Sequence, residues 1–206
     1  MLVHYLLIPT KEEWPKFPQR QKKRNNTCGR SEIMERFTSA IRKSLESQNW
    51  YAALYMSITV PDICARLESD DGKTNADKYI GWYDKYLADR YRHQFGASGE
   101  IHVFLSGADC YALRCAILHE GSTDITTQRR RDVLDRFHFT VVGSHCNKIN
   151  SVLQLDVPEF CNDVCMAIER WADDFRTNHP DKLNRLDQIM RVYVGSHTMP
   201  GGISFS

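Results

Sequence analysis

The sequence predicts a mainly α protein, a helical bundle of four to five long helices with an inserted β-hairpin. Apolar residues recur at helical spacing over long stretches, cap-like polar residues precede those stretches, and one segment near residue 140 switches to two-residue alternation. The composition agrees with a globular chain: of 206 residues, 42% are hydrophobic and 26% charged.

Residues 1–31 stand apart. Pro9, Pro15 and Pro18 precede the run from Gln19 to Asn26, QRQKKRNN, which has no hydrophobic period. An extended or disordered basic arm is expected there, or translated sequence upstream of a start at Met34. The opening MLVHYLLIP lacks a basic flank and is followed by Lys11-Glu12-Glu13, so it makes a poor signal peptide.

Ile33, Phe37, Ile41 and Leu45 recur every four residues and predict an amphipathic helix ending near Ser47. Asn49 then opens WYAALYMSITVPDICARLE, apolar nearly all round and therefore expected at the centre of the bundle, with Pro61 predicting a kink near Thr59. DDGKT is a turn. Thr74, with Asp77 three residues on, gives a capping-box-like start to NADKYIGWYDKYLADRYR. The stripe of Tyr79, Trp82, Tyr83, Tyr86, Leu87 and Tyr91 is expected as core rather than as a base-stacking surface.

A loop with Gly96 and Gly99 leads to IHVFL, a short extended piece. Ser106 and Asp109 repeat the capping pattern and Gly121 supplies the stop, so a helix is expected from about Gly107 to Glu120. Beyond QRRRD the period changes: Phe137, Phe139 and Val141 alternate, as do Val152 or Leu153 with Leu155. A hairpin at about 135–157, turning across GSHCNKIN, follows. Asp156 and Glu159 cap a long helix with Phe160, Val164, Ile168, Trp171 and Phe175 as its inner stripe. DKLNRLDQIMRVYV is expected as one more helix, closing a single domain over 32–194, with 195–206 as a flexible tail.

The net charge of +1 gives no whole-chain argument for nucleic acid, so any basic footprint is local. No stretch approaches the ~20 apolar residues of a membrane span, and a cytoplasmic, membrane-free protein is expected. Most of the seven cysteines (Cys64, Cys110, Cys115, Cys161, Cys165) fall at apolar helical positions, as small core residues do. Cys161 and Cys165 share a helix face, but no CxxC or HxxxH pair completes a zinc set, so neither metal nor cofactor is expected.

The segment RCAILHEG places Arg114 mid-helix and His119 in the last turn. Five residues set them ~140° apart around the axis and ~7.5 Å apart along it, a separation that two copies of the helix paired across a two-fold axis would resolve. Arginine grips a phosphodiester with a planar fork, and histidine titrates near neutrality. The helix dipole favours the imidazolium, which can protonate a leaving alkoxide while RNA supplies its own 2′-hydroxyl nucleophile.

This Arg-x4-His at the end of a bundle helix resembles the signature of HEPN domains (higher eukaryotes and prokaryotes nucleotide-binding). The resemblance implies a homodimeric, metal-independent endoribonuclease of a toxin or phage-defence system, with RNA and a neutralising protein as partners. Arg114 matches the phosphate-binding arginine and His119 the catalytic histidine. Cys115 departs from the pattern, standing where many members carry a polar residue, often asparagine. Asp62 can orient Arg114 or His119 or cap the segment after Pro61, whereas Asp109 is expected as a cap and Glu120 as solvated. Arg129, Arg130 and Arg131 are candidate RNA-backbone contacts.

The alternative is a non-catalytic HEPN-like nucleotide- or RNA-binding or assembly module, with Arg114 in a structural ion pair with Asp62. A metal-dependent hydrolase fits poorly, since no cluster of ligand residues occurs at metal spacing.

Removing residues 1–31 is expected to leave a folded domain. A fall in thermal midpoint of more than ~8 °C, beyond what ~1 kcal/mol explains in a domain this size, would show that the arm packs on it.

Overall fold

The computed structural model describes residues 32–95, 100–193, 195–199 and 201–205. The expected arm, 1–31, and the glycines of the 96–99 loop lie outside the described residues.

Helices α1 (Glu32–Glu46) and α2 (Trp50–Glu68) pack as a pair, joined by residues 47–49 with Gln48 at φ +58°. The Asn49 side chain caps α2, accepting from the Ala52 amide at 3.2 Å. Because α2 is apolar nearly all round, it needs cover on more than one side, and Tyr51 and Tyr55 are what remains exposed. α1 and α5 (Val157–Asn178) cover one flank, and α3 (Ala76–Tyr86) and α4 (Gly107–Glu120) the other. Pro61 does not break α2, which continues through it to Glu68. Nearby, the Tyr79 hydroxyl donates to the Ile58 carbonyl at 3.3 Å.

The cap of α3 is shifted by one residue from the expectation. Asn75, not Thr74, accepts from the Lys78 amide at 3.0 Å, and the Thr74 hydroxyl turns inward to Asp62 instead. Asparagine and threonine are both good caps, so a sequence pattern cannot choose between adjacent ones. Tyr79, Trp82, Tyr83, Tyr86, Leu87 and Tyr91 are all buried, as expected of core. Strands β1 (Arg92–Phe95) and β2 (Glu100–Val103) pair antiparallel.

A three-stranded sheet of β3 (Arg136–Thr140), β4 (Asn147–Ile149) and β5 (Val152–Asp156) precedes α5, in the order β3-β5-β4. Here the structure corrects the expected hairpin. β3 runs parallel to β5, with Phe137 opposite Leu153 and Phe139 opposite Leu155, and the hairpin is formed by β4 and β5. Period-two alternation fixes which face is buried but not strand direction. Asn150, in the left-handed region at φ +54°, makes the tight turn from β4 into β5. Asp156 then caps α5, accepting from the Glu159 amide at 3.2 Å and from the Gly143 amide at 2.7 Å.

The segment expected as a further helix is a 3-10 stretch, Pro180–Gln188. Its cations set its course: Lys182 Nζ donates to the Glu68 carbonyl at 2.7 Å, and Arg185 reaches the carbonyls of Leu67 (3.0 Å), Ser69 and Asp70 (3.2 Å). These are the open carbonyls at the α2 C-terminus, where the helix dipole favours positive charge. In the expected tail, β6 (His197–Thr198) and β7 (Ser204–Phe205) form a small antiparallel pair. No helix of the described residues is long and apolar enough to cross a membrane.

His145 lies between β3 and β4, where its Nδ1 accepts from the Asp156 amide at 3.2 Å. Burial lowers its pKa from 6.5 to about 4, against the opposing pull of the Glu159 and Asp156 carboxylates. A depressed imidazole favours the fold when neutral. Its contribution is therefore complete above pH ~6.5 and lost as pH falls through about 4. Urea unfolding at pH 4.5 should give a stability lower than at pH 7 by about 2–3 kcal/mol from this group, and His145→Gln should remove that part of the slope.

Candidate functional site

Helix α4 carries the Arg-x4-His pair, and its start is firmly set. Ser106 caps it, accepting from the Asp109 amide at 3.1 Å. Asp109, fully buried, accepts from the amides of Asp132 (2.7 Å), Val133 (3.3 Å) and Leu134 (3.4 Å). Its role is thus to hold the 132–134 backbone against α4, in keeping with structural rather than catalytic work. Gly121, at φ +63° and ψ +21°, closes the helix with the left-handed cap that suits glycine.

Arg114 is aimed at α2. Its Nε donates to Asp62 Oδ2 at 2.7 Å, while Asp62 Oδ1 accepts from the Thr74 hydroxyl at 3.2 Å. The Arg114 side chain keeps 21% of its surface exposed against 10% for Asp62, so the pair sits at the edge of the core rather than sealed within it. Burial works against the arginine charge, but the Asp62 carboxylate and the Cys115 sulfur, 3.9 Å from Nη1, outweigh it and raise the guanidinium pKa. Asp62 therefore engages Arg114 and not His119. Arginine has five N–H donors, and this carboxylate takes only the one on Nε.

His119 is exposed in the last turn of α4 and makes no hydrogen bond or ion pair among the described residues. Arg114 and His119 are not brought together within one chain. Between their azimuths lie Tyr111, Cys115 and Leu118, all half-buried, on the side of α4 away from its buried residues Cys110, Leu113 and Ile117. α4 packs mainly on α3 and more lightly on α2, so this outer stripe is left at the rim of the bundle.

Glu120 is exposed, as expected, and accepts from Gln128 Nε2 at 2.8 Å. The three candidate backbone-binding arginines diverge. Arg130 pairs with Asp77 at 3.0 Å and Arg131 with Asp135 at 2.6 Å, while Arg129 is exposed and uncommitted among the described residues. Cys64, Cys110, Cys146, Cys161 and Cys165 are buried, and burial pushes the Cys110, Cys161 and Cys165 thiols up to about 12. No group of His, Cys, Asp or Glu among the described residues could hold a metal ion.

Sequence reasoning missed two features. Thr74 as a second partner of Asp62 was hidden by its equally plausible role as a cap. The other is a groove of about 270 Å³ beside the α4 C-terminus, built from Trp50, Tyr51 and Tyr55 of α2, Ile117 of α4 and Phe139 of β3. The i, i+4 spacing of Tyr51 and Tyr55 was its visible signal. Comparisons with protein-family models, curated proteins and solved structures return no match to this chain.

A double-mutant cycle should separate the Asp62–Arg114 pair from its surroundings. Asp62→Asn and Arg114→Met are expected to couple by about 1–3 kcal/mol in urea unfolding, and a coupling under about 0.5 kcal/mol would show the pair to be energetically idle.

Proposed function

We propose that the chain is a HEPN-like, metal-independent endoribonuclease that acts as a two-fold dimer paired through α4. The observation that carries this reading is the outer stripe of α4, where Tyr111, Cys115 and Leu118 stand half-buried with Arg114 on one flank and His119 on the other. A second copy on this stripe would bury its apolar surface and bring the arginine of each chain toward the histidine of the other. Asp62 and Thr74 then act as positioning residues, holding the guanidinium by Nε and leaving other donors for a phosphate.

In the proposed reaction the 2′-hydroxyl of the substrate, its proton passing to solvent, attacks the adjacent phosphorus. The bond to the 5′-oxygen breaks and the His119 imidazolium protonates the departing oxygen. Arg114 stabilises the charge that builds on the phosphoryl oxygens. By its resemblance, such an enzyme would serve in the cytoplasm as a toxin or phage-defence nuclease held in check by a neutralising protein. A second reading, a non-catalytic HEPN-like RNA-binding or assembly module, is favoured by one specific observation, the bond that commits Arg114 Nε to Asp62.

Purified protein is expected to cut RNA in EDTA and to leave 2′,3′-cyclic phosphate ends, with 2′-deoxy substitution at the cut site stopping the reaction. His119→Ala and Arg114→Ala should each lower cutting by ~10²-fold or more while circular dichroism reports a retained fold. Light scattering should give twice the chain mass. Undiminished cleavage by His119→Ala would sink the mechanism, and a wild type that cuts no RNA would leave the binding module as the better reading.

A further inference from the structure

The groove beside α4 has features that the phosphate chemistry alone does not use. Tyr51, 80% exposed, and Tyr55, 39% exposed, lie one helical turn apart and present aromatic surface at its mouth, with Trp50 and Phe139 as further walls. Tyr55 is pinned across the α2–α4 seam, its hydroxyl donating to the Ile117 carbonyl at 3.4 Å. The polar lining comes from Thr123 and Thr140, the hydroxyl of the latter accepting from the Val142 amide at 3.3 Å and keeping its own proton to donate. At about 270 Å³ the space lies just below the usual range for drug-sized ligands and suits one flat ring system.

The groove and Arg114 lie on the same α2–α4 seam, which Tyr55 crosses to Ile117 and Arg114 crosses to Asp62. Ile117 is three residues and Gly121 seven residues beyond Arg114, or about 5 and 10 Å along the axis, a few phosphate spacings of a strand. At the far end, the Gln128 bond to Glu120 brings the neighbouring Arg129, uncommitted among the described residues, to the same end of α4 as Gly121. A strand is thus offered Arg114 on one side of an aromatic slot and Arg129 on the other, with Asp62 beside the first and Glu120 near the second. An uncharged peptide or an aliphatic chain would match the slot but not the cations.

We propose that this groove is a nucleobase subsite, taking one unstacked base of single-stranded RNA against Tyr51 and Tyr55 while Arg114 holds a phosphate of the same strand. The inference rests on the RNA-directed reading above and adds what that reading lacks, the determinant of where the strand is seated. Aromatic stacking of this kind is strong and tolerant of base identity.

The test uses AMP and UMP as their phosphate methyl esters, singly charged like an internal diester, with the methyl ester of ribose 5-phosphate as the base-free control, and follows tryptophan emission of the full chain, since Trp50 lines the groove. Both nucleotide esters should change the emission and the ribose 5-phosphate ester should not. Tyr51→Ala should weaken nucleotide binding by about fivefold or more and Tyr51→Phe should restore it. Tyr51 is exposed enough that its loss should not disturb folding. In cleavage assays Tyr51→Ala should raise KM by a similar factor with little change in kcat. Nucleotide binding lost in Tyr51→Ala, in a protein that cuts no RNA, would support the subsite and end the ribonuclease reading. RNA cleavage with the same KM in Tyr51→Ala, or equal responses to the AMP and ribose 5-phosphate esters, would overturn the subsite while leaving the ribonuclease reading intact.

Discussion

Helix α2 has almost no polar face, and the rest of the protein is arranged to cover most of it, leaving Tyr51 and Tyr55 at the surface. α1 and α5 cover one flank, and α3 and α4 the other, while the Pro180–Gln188 stretch supplies cations to the carbonyls at its C-terminal end. A helix this apolar gains from cover on several sides at once, so the arrangement of its neighbours is constrained by this one segment. Asp62 is the buried charge within it. A carboxylate in that position needs a cation or donors of its own, and it has both in Arg114 and Thr74. The same packing that buries α2 therefore fixes where Arg114 points.

What could be read from the sequence follows from what a linear pattern encodes. The span of α4 was legible because Ser106 and Gly121 are local signals with local geometry, and the all-round apolarity of α2 translated directly into a central position. Strand direction in the β3–β5 pair was not legible, because Phe137 and Phe139 bury the same face against Leu153 and Leu155 whichever way the strands run. The 3-10 course of Pro180–Gln188 was hidden for another reason. Its spacing of apolar residues is compatible with a helix, but Lys182 and Arg185 are drawn to carbonyls more than a hundred residues away in sequence. Long-range capping of this kind leaves no periodic trace.

The site divides along the same line. Arg114 and Asp62 could be suspected of pairing because each was a polar residue in an apolar helix, an anomaly visible without coordinates. The groove is not legible in the sequence, since its walls come from α2, α4 and β3 and the i, i+4 spacing of Tyr51 and Tyr55 marks only one of them. The arginine run 129–131 shows the converse. Its composition suggests one function, yet the three side chains part: Arg130 and Arg131 face Asp77 and Asp135 in solvent-exposed pairs, and Arg129 has no such partner among the described residues.

The bond between Arg114 and Asp62 bears on both functional readings, and its geometry is more informative than its presence. A carboxylate facing the two Nη atoms of a guanidinium would occupy the fork that grips phosphate. Asp62 instead accepts from Nε, and its other oxygen accepts from Thr74, so the carboxylate is held from two sides and fixes the plane of the guanidinium. An arginine held this way loses less side-chain freedom when it binds an anion than a free one would, which is the advantage of preorganisation. The cost is that the carboxylate beside it repels a second negative charge. That repulsion is weakest for the singly charged diester of a strand interior and stronger for a terminal phosphate monoester, which carries close to two charges at neutral pH. The pair thus biases Arg114 toward internal phosphates, the kind flanked by a 2′-hydroxyl on one side and a leaving 5′-oxygen on the other.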